Sequence, residues 1–266
     1  MKTQILNHLP SNFPWRDSIT WYESIDSTNT RAKELADSGA PHGSVFIANE
    51  QTAGRGRKGR SFASAAGMGI YLSVILRPNC AGTDLMHLTC ATSVEMCQAV
   101  EEATGVRPGI KWTNDLVYGK QKLGGILTEL SLNSQTGLVD YAIVGIGINC
   151  LQQVQDFPME LQEIATSLSI ISNKEIDRSQ LCAAIMTSLA RMSTELLSNK
   201  SHIMAAYRRS CITLGQEISL FRADTVQHGT ALDIDEDGGL LVLFADGSTQ
   251  TVTSGEVSVR GMYGYL

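Results

Sequence analysis

The sequence predicts an α+β protein: a mixed sheet with helices on one face, followed by a small C-terminal β-barrel. Strand-like and amphipathic helical runs interleave through the first part of the chain. Four strand-like segments nevertheless follow one another between 109 and 148, which an alternating βαβ parallel sheet would not contain. Beyond Cys211 the texture changes to short period-two runs separated by Asp-Gly turns. With 266 residues, 43% of them hydrophobic and 18% charged, the chain is large enough for one large and one small domain, divided as 1–210 and 211–266.

The elements follow in order. ITWYESI at 19–25 suits a strand, and Asp26, Ser27 and Thr28 are capping residues for a helix over 30–36 that Gly39 closes. SVFIANE at 44–50 and GIYLSVILR at 69–77 read as buried strands. Between 83 and 104, Leu85, Leu88, Ala91, Met96, Ala99, Val100 and Ala103 recur at helical spacing. Strands are expected at 109–112, 115–118, 123–132 and 138–148, then a polar connection over 151–165 and helices over 178–197 and 201–209. Runs at 217–222, 226–235, 240–245 and 248–253 suit the small barrel, packed on the larger domain because no Pro/Ser/Gly linker precedes it.

Composition excludes several function classes. A net charge of −6 and a pI near 5.4 argue against bulk nucleic-acid binding, so no nucleic-acid partner is expected. The six cysteines contain no C-x-x-C pair, and buried reduced thiols in a cytoplasmic protein are the expectation. The N-terminal stretch has no apolar signal core, and no run approaches membrane-spanning length, so no membrane partner is expected either. The five histidines form no ligand-spaced cluster.

Two segments carry the chemistry. QTAGRGRKGR at 51–60 threads Arg55, Arg57, Lys58 and Arg60 between Gly54, Gly56 and Gly59. Glycines let backbone N–H groups approach a ligand, and guanidinium groups supply charge-assisted hydrogen bonds to phosphate. The segment is not a Walker A loop: Arg60 stands where that motif needs lysine, and a strand rather than a helix follows. Like charges in so short a loop repel, so ligand-induced ordering is expected.

The second segment, KWTNDLVYGKQKLGGILTE at 111–129, places Lys111 and Lys122 among apolar residues, where a solvated lysine gains nothing. Either could hold a carboxylate or an α-phosphate as a point charge. Asp115 could coordinate Mg²⁺ or a ribose, and Asn114 could donate to the same ligand. Gly145 and Gly147 lie in a GIGIN run whose next residue is Cys150, too short for a dinucleotide fingerprint but suited to close backbone approach. Ser27, Thr28 and Asn29 are explained equally by capping and by ligand binding at a helix N-terminus.

In one order, STN at 27–29, Q-x-A-G-R-G-R-x-G-R at 51–60, K-W-x-N-D at 111–115, K-L-x-G-I-L-x-E at 122–129 and G-x-G-I-N at 145–149 resemble the motifs of biotin protein ligases over roughly residues 15–260. Two positions depart: Thr113 stands where the family often has Pro, and Phe62 where it often has Trp. The resemblance implies a class II aminoacyl-tRNA-synthetase-like catalytic domain with an SH3-like C-terminal barrel. It implies ATP-dependent activation of biotin as biotinyl-5′-AMP and transfer to a lysine of a biotin carboxyl carrier protein or domain. ATP and Mg²⁺ are implied, with biotin as substrate and no tightly bound prosthetic group.

By the same resemblance Lys122, Arg57, Asp115 and Lys111 are catalytic. Ser27, Thr28, Asn29, Gln51, Gly54, Arg55, Gly56, Arg57, Lys122, Gly124, Gly125, Gly145 and Gly147 bind biotin or its adenylate. Arg57, Arg60, Lys111, Asn114, Asp115 and Asn149 face the ATP phosphates, with Asp115 toward magnesium. The early start of the catalytic motifs resembles the monofunctional type without a DNA-binding domain, and a homodimer is left open. Lipoate–protein ligases are the nearest rival, but their glycine-rich loop lacks the Arg-Gly repeat.

Overall fold

The computed structural model describes residues 1–172, 174–222, 225–253 and 258–261. In chain order the main unit comprises α1 (Lys2–His8), β1 (Ile19–Tyr22), α2 (Thr28–Asp37), β2 (Val45–Ala48), β3 (Gly69–Leu76) and α3 (Leu88–Thr104). It continues with β4 (Gly109–Lys111), β5 (Asp115–Tyr118), β6 (Gln121–Leu132), β7 (Val139–Asn149), α4 (Leu168–Ile171), α5 (Arg178–Glu195) and α6 (Lys200–Ser210). Its strands form one seven-stranded sheet in the order β1-β2-β3-β7-β6-β5-β4. Only the β1–β2 pair is parallel, and the other neighbours are antiparallel, so the sheet is mixed.

Alternation along the central strands decides how this sheet is covered. Ile70, Leu72, Val74 and Leu76 of β3 and Val144, Ile146 and Ile148 of β7 join the main core with residues of α1, α3 and α5. Their sequence neighbours Ile75, Tyr141 and Ile143 point the other way, onto Ala32 and Ala36 of α2. Helices therefore cover both faces, where one was expected. The physical reason is that β3 and β7 are apolar on both sides and need a second cover. On that second face α2 is ten residues long and leaves the rest of the face for the site.

Local signals explain most boundaries. Asp177 accepts hydrogen bonds from the backbone N–H groups of Ser179 and Gln180 and caps α5, a contribution of about 1 kcal/mol. Gly105 ends α3 in the left-handed region at φ 76°. The expected strand over 19–25 stops at Tyr22, and Ile25 instead makes an isolated bridge to Gln51. Helix α2 starts at Thr28 rather than 30, and Ser27 occupies the N-cap position without a side-chain cap bond. The short helices α1 and α4 were not expected, and the connection over 151–165 contains two 3₁₀ turns at Val154–Asp156 and Met159–Leu161.

The C-terminal unit consists of β8 (Glu217–Arg222), β9 (Thr225–Ile234), β10 (Leu240–Phe244), β11 (Thr249–Val252) and β12 (Ser258–Gly261), an antiparallel sheet in the order β11-β10-β9-β8-β12. Residues 223–224, 254–257 and 262–266 of the expected 211–266 unit lie outside the described residues. Ile218, Leu220, Ala231, Ile234, Leu240 and Val242 join the main core. The Trp112 indole N–H donates to the Gly238 carbonyl at 2.9 Å, and the Tyr207 hydroxyl donates to the Thr113 carbonyl at 3.0 Å. The second motif segment is thus held from both sides. Among the described residues no helix is long and apolar enough to cross a membrane, and all six cysteines are free and buried.

Candidate active site

The floor of the site is bare backbone. In the β6–β7 pair Gly125 lies opposite Gly147, and Leu127 opposite Gly145. A methyl group on Gly145 would sit 1.9 Å from Asn29 Oδ1, and one on Gly147 would sit 2.6 Å from the Phe62 ring. Any larger residue would therefore fill the space that α2 and the basic loop require.

The N-terminus of α2 forms one wall. Thr28 donates to Gln51 Oε1 from its backbone N–H at 2.8 Å and its hydroxyl at 3.0 Å, and Gln51 Nε2 donates to Ser64 Oγ at 2.9 Å. Ser73 Oγ, fully buried on β3, lies 2.8 Å from Thr28 Oγ1 and 2.6 Å from Asn29 Oδ1. Asn29 Nδ2 donates to Glu129 Oε2 at 2.9 Å and to the Leu127 carbonyl at 3.3 Å. This wall is held by its own hydrogen bonds, which is how buried polar groups are tolerated. Capping does not account for Ser27 and Thr28 here, since neither side chain makes the cap bond.

The basic loop closes over the floor as a short irregular hairpin. Gly56 N–H donates to the Arg60 carbonyl at 2.7 Å, Phe62 N–H donates to the Gly54 carbonyl at 2.8 Å, and Arg55 bridges to Ser61. Lys58 at its tip is left-handed, with φ 54°. Arg55 makes a bidentate pair with Glu129 at 2.8 and 3.0 Å. Arg57 donates to Asn114 Oδ1 at 3.0 Å, and Asn114 Nδ2 donates to the Ile126 carbonyl at 2.8 Å.

Opposite the loop, Lys122 Nζ lies 2.6 Å from Asp115 Oδ1, and Lys111 is buried. These groups surround a cavity of about 550 Å³, within the size of small-molecule sites. Burial lowers the Arg57 pKa from its ordinary value, with Asp115 opposing the shift and Arg60 adding to it. Burial lowers that of Lys58, reinforced by Arg57 and Arg60. Such crowding of cations is relieved by an anion.

Of the residues singled out from sequence, Ser27, Thr28, Asn29, Gln51, Arg55, Gly56, Arg57, Arg60, Lys111, Asn114, Asp115, Lys122, Gly125, Gly145 and Gly147 line this cavity. Three do not. A methyl on Gly54 would meet the Phe62 carbonyl at 2.4 Å, so that glycine serves the loop's own closure. Gly124 faces its neighbouring strand, where a methyl would meet the Gly147 carbonyl at 2.6 Å. Asn149 is buried between the Thr166 carbonyl and Gln152, tying down the segment after β7.

Sequence reading quoted Glu129 as the end of a motif without giving it a role, and it missed Ser73, which with Glu129 orders the α2 wall, and Val259, which reaches the cavity from β12. Period-two alternation with Gly125 would have placed Leu127 and Glu129 on the site's face. Nothing in the sequence points from Val259 to the cavity.

Asp115 is a hard oxygen donor at the cavity edge, and among the described residues no three His, Cys, Asp or Glu side chains cluster into a protein cage. One carboxylate suits a magnesium ion held mostly by nucleotide phosphates and water.

Residues 21–149 match the Biotin/lipoate A/B protein ligase family, and residues 213–260 match the Biotin protein ligase C terminal domain. The chain is 35% identical over 225 residues to the bifunctional ligase/repressor BirA of Bacillus subtilis, covering 84% of this chain and 69% of that one. It is 32% identical over 239 residues to the biotin–[acetyl-CoA-carboxylase] ligase of Mycobacterium tuberculosis, covering 87% and 85%. Its fold matches the biotin protein ligase of Aquifex aeolicus, solved with biotin and ATP, at a TM-score of 0.74 and 29% identity over 91% of this chain and 98% of that one. Both units thus have counterparts in one group of proteins, and the chain belongs to the biotin protein ligase family.

Proposed function

We propose that this protein activates biotin with ATP to give biotinyl-5′-AMP and pyrophosphate, then transfers biotin to a lysine of a carboxyl carrier protein. The observation that carries the proposal is the convergence of Arg57, Arg60, Lys111 and Lys122 on one glycine-floored cavity, beside a wall of neutral hydrogen-bonding groups. A small apolar acid needs both: neutral donors and acceptors for its head group, and cations for its carboxylate and the attacked phosphate.

In the first step a biotin carboxylate oxygen bonds to the α-phosphorus and the bond to the pyrophosphate leaving group breaks. Negative charge spreads over the phosphate oxygens, and the lysine and arginine groups offset it; one such donor is worth about 10²–10³ in rate. Lys122, held at 2.6 Å from Asp115, is a positioned point charge rather than a mobile one. Asp115 would hold magnesium, which supplies Lewis-acid neutralisation of the phosphates when bound. In the second step the acceptor lysine amine attacks the acyl carbon of the mixed anhydride, and AMP leaves.

Between the steps the basic loop and Phe62 cover the cavity and keep water from the anhydride. No side chain forms a covalent adduct in this scheme. The six buried free thiols suit a reducing, cytoplasmic setting. The test of transfer is the mass of an apo carrier domain incubated with the protein, biotin and ATP. A single biotinyl addition at one lysine supports the proposal, and an unchanged acceptor mass alongside a working reference ligase would overturn it.

A further inference from the structure

Glu129 is an acid at the rim of a site built for anions, with no part in neutralising phosphate. Its two oxygens are both engaged. Oε1 pairs with Arg55 at 2.8 Å, while Oε2 takes Arg55 at 3.0 Å and Asn29 at 2.9 Å. Arg55 belongs to the basic loop, whereas Asn29 belongs to the α2 wall and is fixed from behind by Ser73 and the Leu127 carbonyl. One carboxylate on the rigid strand β6 thus joins the loop to the wall. An unneutralised carboxylate here would weaken anion binding by Coulomb repulsion, so pairing with Arg55 is what makes the acid compatible with the site.

We propose that Glu129 is a positioning residue, a latch that holds the basic loop over the cavity through Arg55 and ties that closure to the Asn29 wall. Arg55 then acts on the loop rather than on phosphate, which leaves Arg57 and Arg60 as the loop's phosphate-facing groups. Closure is weakened by salt, since the Arg55 and Glu129 side chains are 42% and 27% exposed. The inference rests on the reading of the cavity as a biotin-adenylating site, but its first test does not.

That test is limited trypsin cleavage after the basic residues of the loop in the substrate-free protein, comparing wild type with Glu129→Ala and Glu129→Gln. Gln retains an acceptor for Asn29 without the ion pair. Both variants should be cut about fivefold faster, the scale of one well-aligned, partly exposed ion pair. Unchanged cleavage in both overturns the latch. If Ala unfolds the chain, Gln alone decides the comparison.

The second test is the rate at which preformed biotinyl-AMP leaves the protein in Glu129→Ala, Arg55→Ala and the double variant. A latch predicts faster release in each single variant and no increase in the double beyond Glu129→Ala, because that variant already removes the Arg55 pair along with the Asn29 contact. Additive increases, or release at the wild-type rate, overturn it. A wild-type protein that makes no biotinyl-AMP would instead defeat the proposed function and leave the cleavage result standing.

Discussion

Gly145 and Gly147 lie two residues apart on the same face of β7, yet adding one methyl group should cost stability at only one of the two positions. At Gly145 the new carbon would lie 1.9 Å from Asn29 Oδ1 and 2.7 Å from Asn29 Cγ. Asn29 is buried and bonded to Ser73, Leu127 and Glu129, so it cannot swing aside without breaking those bonds. Overpacking of this kind costs about 1–3 kcal/mol, and one disrupted buried hydrogen bond about 1 kcal/mol more. Relief of glycine's backbone entropy returns roughly 0.5–1 kcal/mol. Gly145→Ala should therefore lose about 1–3 kcal/mol of stability and most biotin affinity.

At Gly147 the nearest atoms the methyl would meet belong to the Phe62 ring, at 2.6 and 2.7 Å. Phe62 sits on the loop and is half-buried, packed edge-on to Tyr71 at 6.4 Å, so the ring can turn away. That contact is worth about 0.5–1.5 kcal/mol, which the entropy gain offsets. Gly147→Ala should unfold at nearly the wild-type urea concentration while binding biotin more weakly. Urea titration with calorimetric biotin binding reads both effects. Equal shifts in the two unfolding midpoints, or a neutral Gly145→Ala, would refute the steric reasoning.

Lys122→Ala should slow biotinyl-AMP formation at least about 100-fold, measured as biotin-dependent pyrophosphate release, and a normal rate would remove Lys122 from the chemistry. Arg57→Ala loses the hydrogen bond to Asn114 that ties the loop to the turn before β5, so biotinyl-AMP should escape faster in a filter-retention assay; unchanged retention would contradict this. Burial lowers the pKa of His42 and His87 below the ordinary 6.5, so the unfolded chain takes up protons first as pH falls. Stability contributed by these neutral histidines is present above about pH 6.5 and declines below it, so the urea midpoint should drop between pH 7.5 and 5.5, and a rise over that interval would contradict the assignment.

Much of the architecture was legible because it depends on short-range pattern. The continuous apolar runs of β3 and β7, the helical spacing of α3 and the Asp-Gly turns of the C-terminal unit each carry their own signal. The face covered by α2 was not legible, because a strand apolar on both sides reads as buried without saying what buries it. In the site, the basic loop and the two lysines were conspicuous as charge among apolar or glycine neighbours. The roles of Glu129, known only as a motif position, and of Ser73 were not, since what an acid or a serine on a strand does is unreadable until a partner 74 or 44 residues away is brought beside it. Gly54, Gly124 and Asn149 went the other way: their motif positions suggested ligand contact, and local packing accounts for each.

The most direct measurement is pyrophosphate release from ATP and Mg²⁺ with biotin, with lipoate and with neither, at equal concentrations. Release that requires biotin is the predicted result, and it should vanish in Lys122→Ala. Release driven by lipoate alone, or none with either acid, would contradict assignment of the glycine-floored cavity to biotin adenylation.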